Sequence, residues 1–160
     1  MPGKTRPRGL LRLFLRFPIV LYRLGLGWLL DDRFLMLTHI GRSSGQPRRV
    51  VLEVVQHDHA TGAYIIASGW GETSHWVRNI AATPRVTVQV GLRTWPAVAR
   101  RLSAREAEDV LAGYAGRNPV ALRILARRYQ LTPSESETLE QTWLQLATRI
   151  PLVALEARTR

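Results

Sequence analysis

Apolar and polar positions change rhythm more than once along this chain, and the changes predict its elements. RFLMLTHI (33–40) is an apolar run with β-branched members, and RRVVLEVVQ (48–56) is rich in valine. Both read as strands, separated by the dense turn signal GRSSGQP (41–47). HDHATG (57–62) is a second turn, AYIIAS (63–68) a third strand and GWGETS (69–74) a loop. Ser74 is placed to N-cap a short helix, HWVRNIAA (75–82). Thr83-Pro84 ends it, because the residue before proline is driven out of the helical region. RVTVQV (85–90), a tight Gly91-Leu92 turn and RTWPAVARRL (93–102) form a hairpin pattern, in which Pro96 calls for an edge or a bulge. Beyond it the period becomes helical. Ser103 with Glu106 is a capping box for a helix over 104–115. Asn118-Pro119 caps and opens a helix over 119–129, with Ala121, Leu122, Ile124 and Leu125 as its apolar face. Thr132-Pro133 with Glu135 starts a third, 133–148, with Leu139, Trp143 and Leu146 on one face, and IPLVALEA (150–157) is a final strand. This order predicts an α+β fold: a mainly antiparallel sheet, curled enough to be a small barrel, with C-terminal helices.

The N-terminus follows another rule. MPGKTRPR (1–8) reads as a disordered lead, and residues 9–30, GLLRLFLRFPIVLYRLGLGWLL, as an amphipathic helical segment. Arg8, Arg12 and Arg16 fall four apart and Arg23 seven further on, so on a helix they line one narrow stripe. A transmembrane span needs about 20 apolar residues with few charges. An arginine near its middle costs roughly 2.5–3.5 kcal/mol, and Arg12, Arg16 and Arg23 interrupt every window here. No small-residue cleavage site follows, so a signal peptide does not fit either. Two roles remain: a helix covering its own domain or a partner subunit, which is favoured, or one lying in a membrane interface with its arginines toward lipid phosphates. The chain therefore divides into a basic segment, 1–30, and a single domain, 31–160.

Composition sharpens this picture in two ways. The 160 residues contain no cysteine, which excludes disulfides, thiolate metal sites and a cysteine nucleophile, and fits a cytoplasmic protein, peripheral on the inner membrane face if the helix is interfacial. The formal net charge is +11, and Lys4 is the one lysine beside the arginines. Residues 1–30 carry six basic side chains and no acidic one, against 17 basic and 12 acidic in the remainder. The excess points to an anionic ligand or surface.

Candidate chemistry clusters in two places. The turn from Gly41 to Arg49 combines two glycines, two hydroxyls and three arginines, the makings of a phosphate cradle in which successive amides form an anion-binding nest. It carries neither a GK[ST] loop nor GxGxxG, and the competing reading is a solvated hairpin tip. The second place is Ala67-Ser68-Gly69, where a strand ends in residues small enough for a planar ring to approach the backbone. His57-Asp58-His59 lacks a third ligand at a useful spacing, so no metal site is expected. There is no GxSxG elbow and no arranged acid pair. Tyr114 and Tyr129 offer hydroxyls, with packing as the plainer role for each.

LTHIGRSSGQPRRVVLEVV, YIIASGWG and HWVRNIAATPRVTVQVG together resemble the deazaflavin-dependent nitroreductase family, also called F-420H2-dependent quinone reductases. The resemblance covers about residues 33–102 in the family's order: a GRxSGxPR turn, a Val-rich strand, an (A)S-x-G loop, W-x-x-N and a final NPxVxVxxG. It implies a split β-barrel related to the FMN-binding barrels, and the 8-hydroxy-5-deazaflavin coenzyme F-420 as ligand, with its phosphodiester and anionic oligoglutamate tail. By the resemblance Arg42, Ser43, Ser44, Gln46, Arg48 and Arg49 face the phosphate end, and Ala67, Ser68 and Gly69 lie by the ring. Trp76 and Asn79 occupy the W-x-x-N positions, nearer to packing than to chemistry. Trp70, Ser74-His75-Trp76 and Thr83-Pro84 depart from the family's usual residues.

The implied activity is hydride transfer from reduced F-420 to an activated small-molecule acceptor: a quinone, an enone or a nitroaromatic. Ser68, Tyr114 and Tyr129 are the candidate proton donors, and a homodimer is compatible. An FMN-binding split-barrel oxidoreductase is the close alternative. A basic protein that binds nucleic acid or membrane without catalysis is the distant one. Nucleic acid is disfavoured because no recognition motif appears and the arginines scatter over all elements.

Overall fold

The computed structural model describes residues 32–131 and 139–158, apart from the side chains of residues 121, 122, 128, 139, 140 and 143. Six strands alternate with helices: β1 (Phe34–Ile40), β2 (Pro47–His57), β3 (Tyr64–Ala67), α1 (His75–Ala82), β4 (Arg85–Val90), β5 (Arg93–Arg101), α2 (Ala104–Arg117), α3 (Pro119–Arg128), α4 (Leu139–Arg149) and β6 (Leu152–Ala157). The fold is α+β, and the strands close into an antiparallel barrel in the order β1-β2-β3-β6-β5-β4. The N-terminal helix expected over residues 9–30 lies outside the described residues, as does the start of the helix expected from 133.

Side-chain alternation accounts for the barrel interior. Leu37 faces Val50 on β2 and Val88 on β4, and Val88 faces Trp95 on β5. Tyr64 of β3 faces Leu155 of β6, and Ala99 of β5 faces the same residue. These side chains form one apolar cluster, and Trp76, Val77 and Ile80 of α1 join it and plug one end. A second cluster lies outside the barrel. Ile65, Leu152 and Ala154 turn outward there, against Val110 and Leu111 of α2, Ala126 of α3, and Leu146 and Ala147 of α4. β3 and β6 are thus buried on both faces, which is why AYIIAS and IPLVALEA are continuous apolar runs and not alternating ones.

The local signals mostly hold, with some corrections. The capping box at Ser103 is present, and its helix runs two residues further than expected, to Arg117. Ser74 precedes α1 but makes no side-chain cap, and neither does Asn118 before α3, which Pro119 opens instead. Of the apolar face expected for α3, Leu125 packs on the outer cluster beside buried Ala126, whereas Ile124 is 64% exposed. Pro96 sits at a local edge, in the stretch of β5 that has a strand ladder on one side only. β5 gains its β6 neighbour only from Ala97 onward, and Pro96 lies just beyond that ladder, its carbonyl accepting from the Arg158 amide. No N–H is missed there.

Candidate functional site

The turn between β1 and β2 is built from its own hydrogen bonds. The Gly41 amide donates to Gln46 O, the Ser44 and Gly45 amides to Gly41 O, and the Gln46 amide to Ser44 Oγ at 3.3 Å. Gly45 adopts φ +64°, a conformation glycine takes without strain. A Cβ on Gly41 would stand 2.6 Å from Ser44 Oγ, so the tight fold of the turn needs glycine there too. These bonds alter the cradle expected from sequence. The amides of Gly41, Arg42, Ser44, Gly45 and Gln46 are all committed within the protein, so they form no open nest. Any anion at this turn must be met by side chains: Arg42, Ser43, Gln46, Arg48 and Arg49 are all exposed.

Register separates those arginines. Arg48 pairs with His39, and Arg49 with Thr38. Arg48 therefore shares the inward parity of Val50, Leu52 and Val54 at the barrel's mouth. Arg49 shares the outward parity of Val51, Glu53 and Val55, the face on which Ala67 of β3 also lies. Among the described residues the ion pairs join Arg33 to Glu53, Arg100 to Glu106 and Glu156, and Arg101 to Glu72. Arg42, Arg48 and Arg49 take part in none of these, so no carboxylate of the described residues pairs with them.

The strand end at Ala67 leads into a loop braced by hydroxyls. Ser68 is 1% exposed; its Oγ donates to Gly71 O and lies 2.7 Å from Ser74 Oγ. Tyr129, at the end of α3, donates its hydroxyl to Ser68 O at 3.0 Å. Gly71 has φ +64°, and a Cβ there would approach Tyr129 Oη to 3.2 Å. By contrast a Cβ on Gly69 meets no atom of the described residues within 4 Å, so among them open space lies over the backbone where a ring is expected.

Helix α1 ties the two segments together. Ser74, just before it, holds Ser68; Asn79, inside it, accepts from the Arg42 amide at 3.2 Å and from Arg42 Nη1 at 2.9 Å. Five residues of helix advance about 7.5 Å, so the two anchor points sit close together at one end of the barrel. Asn79 is itself buried, and its Nδ2 faces Nδ1 of buried His39 at 3.1 Å. Burial, and after it the charge of Arg48, push the His39 pKa below the usual histidine value. Trp76 is a core residue, buried against the barrel interior.

The three candidate hydroxyls are not equivalent. Ser68 and Tyr129 meet at the loop. Tyr114 lies elsewhere, on α2, with Glu53, Arg33 and Arg117 as its charged neighbours; burial, then Glu53, raise its pKa. His57 stacks on Tyr64 at 4.0 Å beside His59, at the turn that opens β3. A groove of about 300 Å³ runs over the outer wall of β1, β4 and β5, past Ile40, Pro47, Arg85 and Pro96, and does not include the loop. The residues sequence reasoning passed over are His39, Gly71 and Ser74. His39 had a signal, since it keeps step with Leu35 and Leu37 and so must turn inward.

Comparison with known proteins follows this geometry. The structure is similar to that of an F-420-H2 dependent reductase, FDR-A, with a TM-score of 0.54 and 24% identity over 79% of this chain and 96% of that one. A structure described as a domain-swapped dimer gives a TM-score of 0.54 at 23% identity, over 87% of this chain and 99% of that one. A heme binding protein from Mycobacterium smegmatis gives 0.51 at 15% identity, over 84% and 50%. At such identities the likeness is one of fold, and a fold hosts more than one ligand. No curated protein matches. Residues 23–123 match the family model described as F-420H(2)-dependent quinone reductase. That match takes in the turn, the small-residue loop, α1 and the following hairpin, and by it the chain belongs to the F-420H(2)-dependent quinone reductase family of oxidoreductases.

Proposed function

We propose that the protein binds F-420 with the Arg-rich turn toward its anionic end and Ala67-Ser68-Gly69 beside its ring, and passes a hydride to a quinone, an enone or a nitroaromatic. The observation that carries this reading is that α1 ties a turn of arginines, which have no acidic partners among the described residues, to an open, small-residue strand end. The residues suit the group. Arginine is the side chain best shaped for phosphate and carboxylate, and a buried backbone bend closed by Ser68, Ser74 and Tyr129 gives a rigid floor for a planar ring. Reduced F-420 supplies two electrons as hydride when bound; the chain's part is binding, orientation and the proton.

Arg42 is aimed by Asn79, and Arg48 stands at the same mouth. Arg49 lies on the outer wall with Ala67, where it meets an anionic group on that side of β2. Of the proton donors, Ser68 is held by Gly71 O and Ser74, so its hydroxyl serves as a brace. Tyr129, half-buried, gives its hydroxyl proton to Ser68 O in the same way, so it too braces the ring segment. A homodimer belongs to the same proposal. Fluorescence titration with F-420 and with FMN tests it. F-420 binds more tightly and loses affinity as salt rises, since several arginines meet its tail and surface ion pairing is screened. Binding of FMN alone makes the protein an FMN enzyme, and a salt-independent affinity removes the electrostatic reading of the tail.

A further inference from the structure

We infer that His39 is a positioning residue: through Asn79 it aims the Arg42 guanidinium, and its protonation withdraws that aim. The inference rests on the proposal that the turn binds an anion.

The hydrogen bonds leave one consistent assignment. Arg42 offers two donors to Asn79, its amide and Nη1, so the Asn79 atom facing them is the oxygen. The amide nitrogen of Asn79 is then the atom facing His39 Nδ1, which must accept. The imidazole is therefore neutral, with its proton on Nε2. With Nη1 engaged by Asn79, the other guanidinium N–H groups of Arg42, an exposed residue, remain to meet an anion.

Protonating Nδ1 sets two donors against each other. The carboxamide then turns its oxygen to the imidazolium, and its nitrogen meets two Arg42 donors instead. Either orientation satisfies one side only, so His39 and Arg42 compete for one oxygen. The charged and titratable groups around His39 are few. Arg48 is directly across on β2, and Arg42 lies beyond Asn79. On α1, Arg78 turns its Nε to Glu72 O, and His75 is exposed. Burial and the charge of Arg48 favour the neutral form that the relay needs, against a backbone hydrogen bond at Ile40 that favours the charged one.

Two effects of protonation carry opposite signs, which makes the test sharp. A histidine acting only as a charge strengthens anion binding when protonated. The relay weakens it. In the full-length protein, nitrogen-15 NMR is expected to show His39 Nδ1 as an unprotonated acceptor near neutral pH, with the Arg42 amide shift following the His39 titration. F-420 affinity falls about tenfold as pH drops from about 7.5 to about 5, the loss of roughly one net hydrogen bond. His39→Asn offers an oxygen near the Nδ1 position and does not titrate, so it keeps the neutral-pH affinity with that fall abolished. His39→Leu binds about tenfold more weakly even at neutral pH. The inference is overturned if wild-type affinity stays level or rises on acidification, or if His39→Asn keeps the wild-type profile. If wild type binds no F-420 at any pH, the cofactor reading fails on its own. The Arg42 amide then decides the relay: tracking His39 supports it, and indifference overturns it.

Discussion

Arg48 and Arg49 are adjacent in sequence and point to opposite faces of β2, and this one fact divides the labour of the turn. Arg42 and Arg48 share the barrel mouth; Arg49 does not. Replacing Arg42 or Arg48 by alanine is expected to cost about 1.5–3 kcal/mol in F-420 binding, the range for a hydrogen bond to a charged group. Their effects on folding differ. Arg48→Ala changes stability by less than about 0.5 kcal/mol, as exposed substitutions usually do. Arg42→Ala removes a partner of buried Asn79, whose oxygen keeps only the main-chain amide, and costs about 0.5–1.5 kcal/mol. Titration of both variants, with urea denaturation alongside, checks the split; unchanged binding in both removes the turn from the site. At this scale the residue types of the candidate site were legible: glycines, hydroxyls and arginines in the turn, small residues at a strand end. The commitment of the turn's amides was not, since nothing in residue type says whether a donor is already taken.

At the scale of elements, the hairpin and one cap held as expected, and two other cap signals did not. The hairpin from β4 to β5 and the capping box of α2 are local, closed by chain neighbours. Ser74 has the type and place of an N-cap, yet its hydroxyl is drawn to Ser68, a residue on the far side of a loop. The α2 cap also makes a pH prediction. Hydrogen bonding from Arg100, then from Ser103, lowers the Glu106 pKa from 4.5 to about 2. A carboxylate depressed in the folded state adds stability that is present above its unfolded value and is lost as pH falls. Stability should therefore decline between pH 4.5 and about 2, and Arg100→Ala should flatten that limb of a urea-midpoint profile. An unaltered limb in the variant would assign the acid sensitivity to other groups.

For the whole molecule, the barrel brings a basic turn, a loop and a plugging helix to one end, while three helices cover β3 and β6. No helix among the described residues is long and apolar enough to cross a membrane. The basic segment 1–30 remains a proposal of sequence: a cover for the barrel or a partner subunit, with a membrane-interface role as its rival. Deletion of residues 1–30 tells them apart. As a cover, its loss exposes apolar surface, and the truncated protein aggregates or unfolds without cooperativity. As an anchor, its loss abolishes co-sedimentation with anionic vesicles and leaves a cooperatively folding barrel, each arginine having contributed about 1 kcal/mol near an anionic leaflet.

The sequence by itself determined the six strands and the helices after them, their antiparallel character, the family motifs and the positions of the two chemical segments. Period, capping pairs and turn residues act over a few bonds, so one chain states them fully. Tertiary structure alone decided that β1 closes on β4 and β3 on β6, that α1 plugs the mouth, and that His39, Asn79 and Arg42 form one chain of hydrogen bonds. Those contacts join residues some forty to ninety positions apart. Their geometry is set by how the sheet curls and by where a buried polar group finds its partner, and no local pattern encodes either.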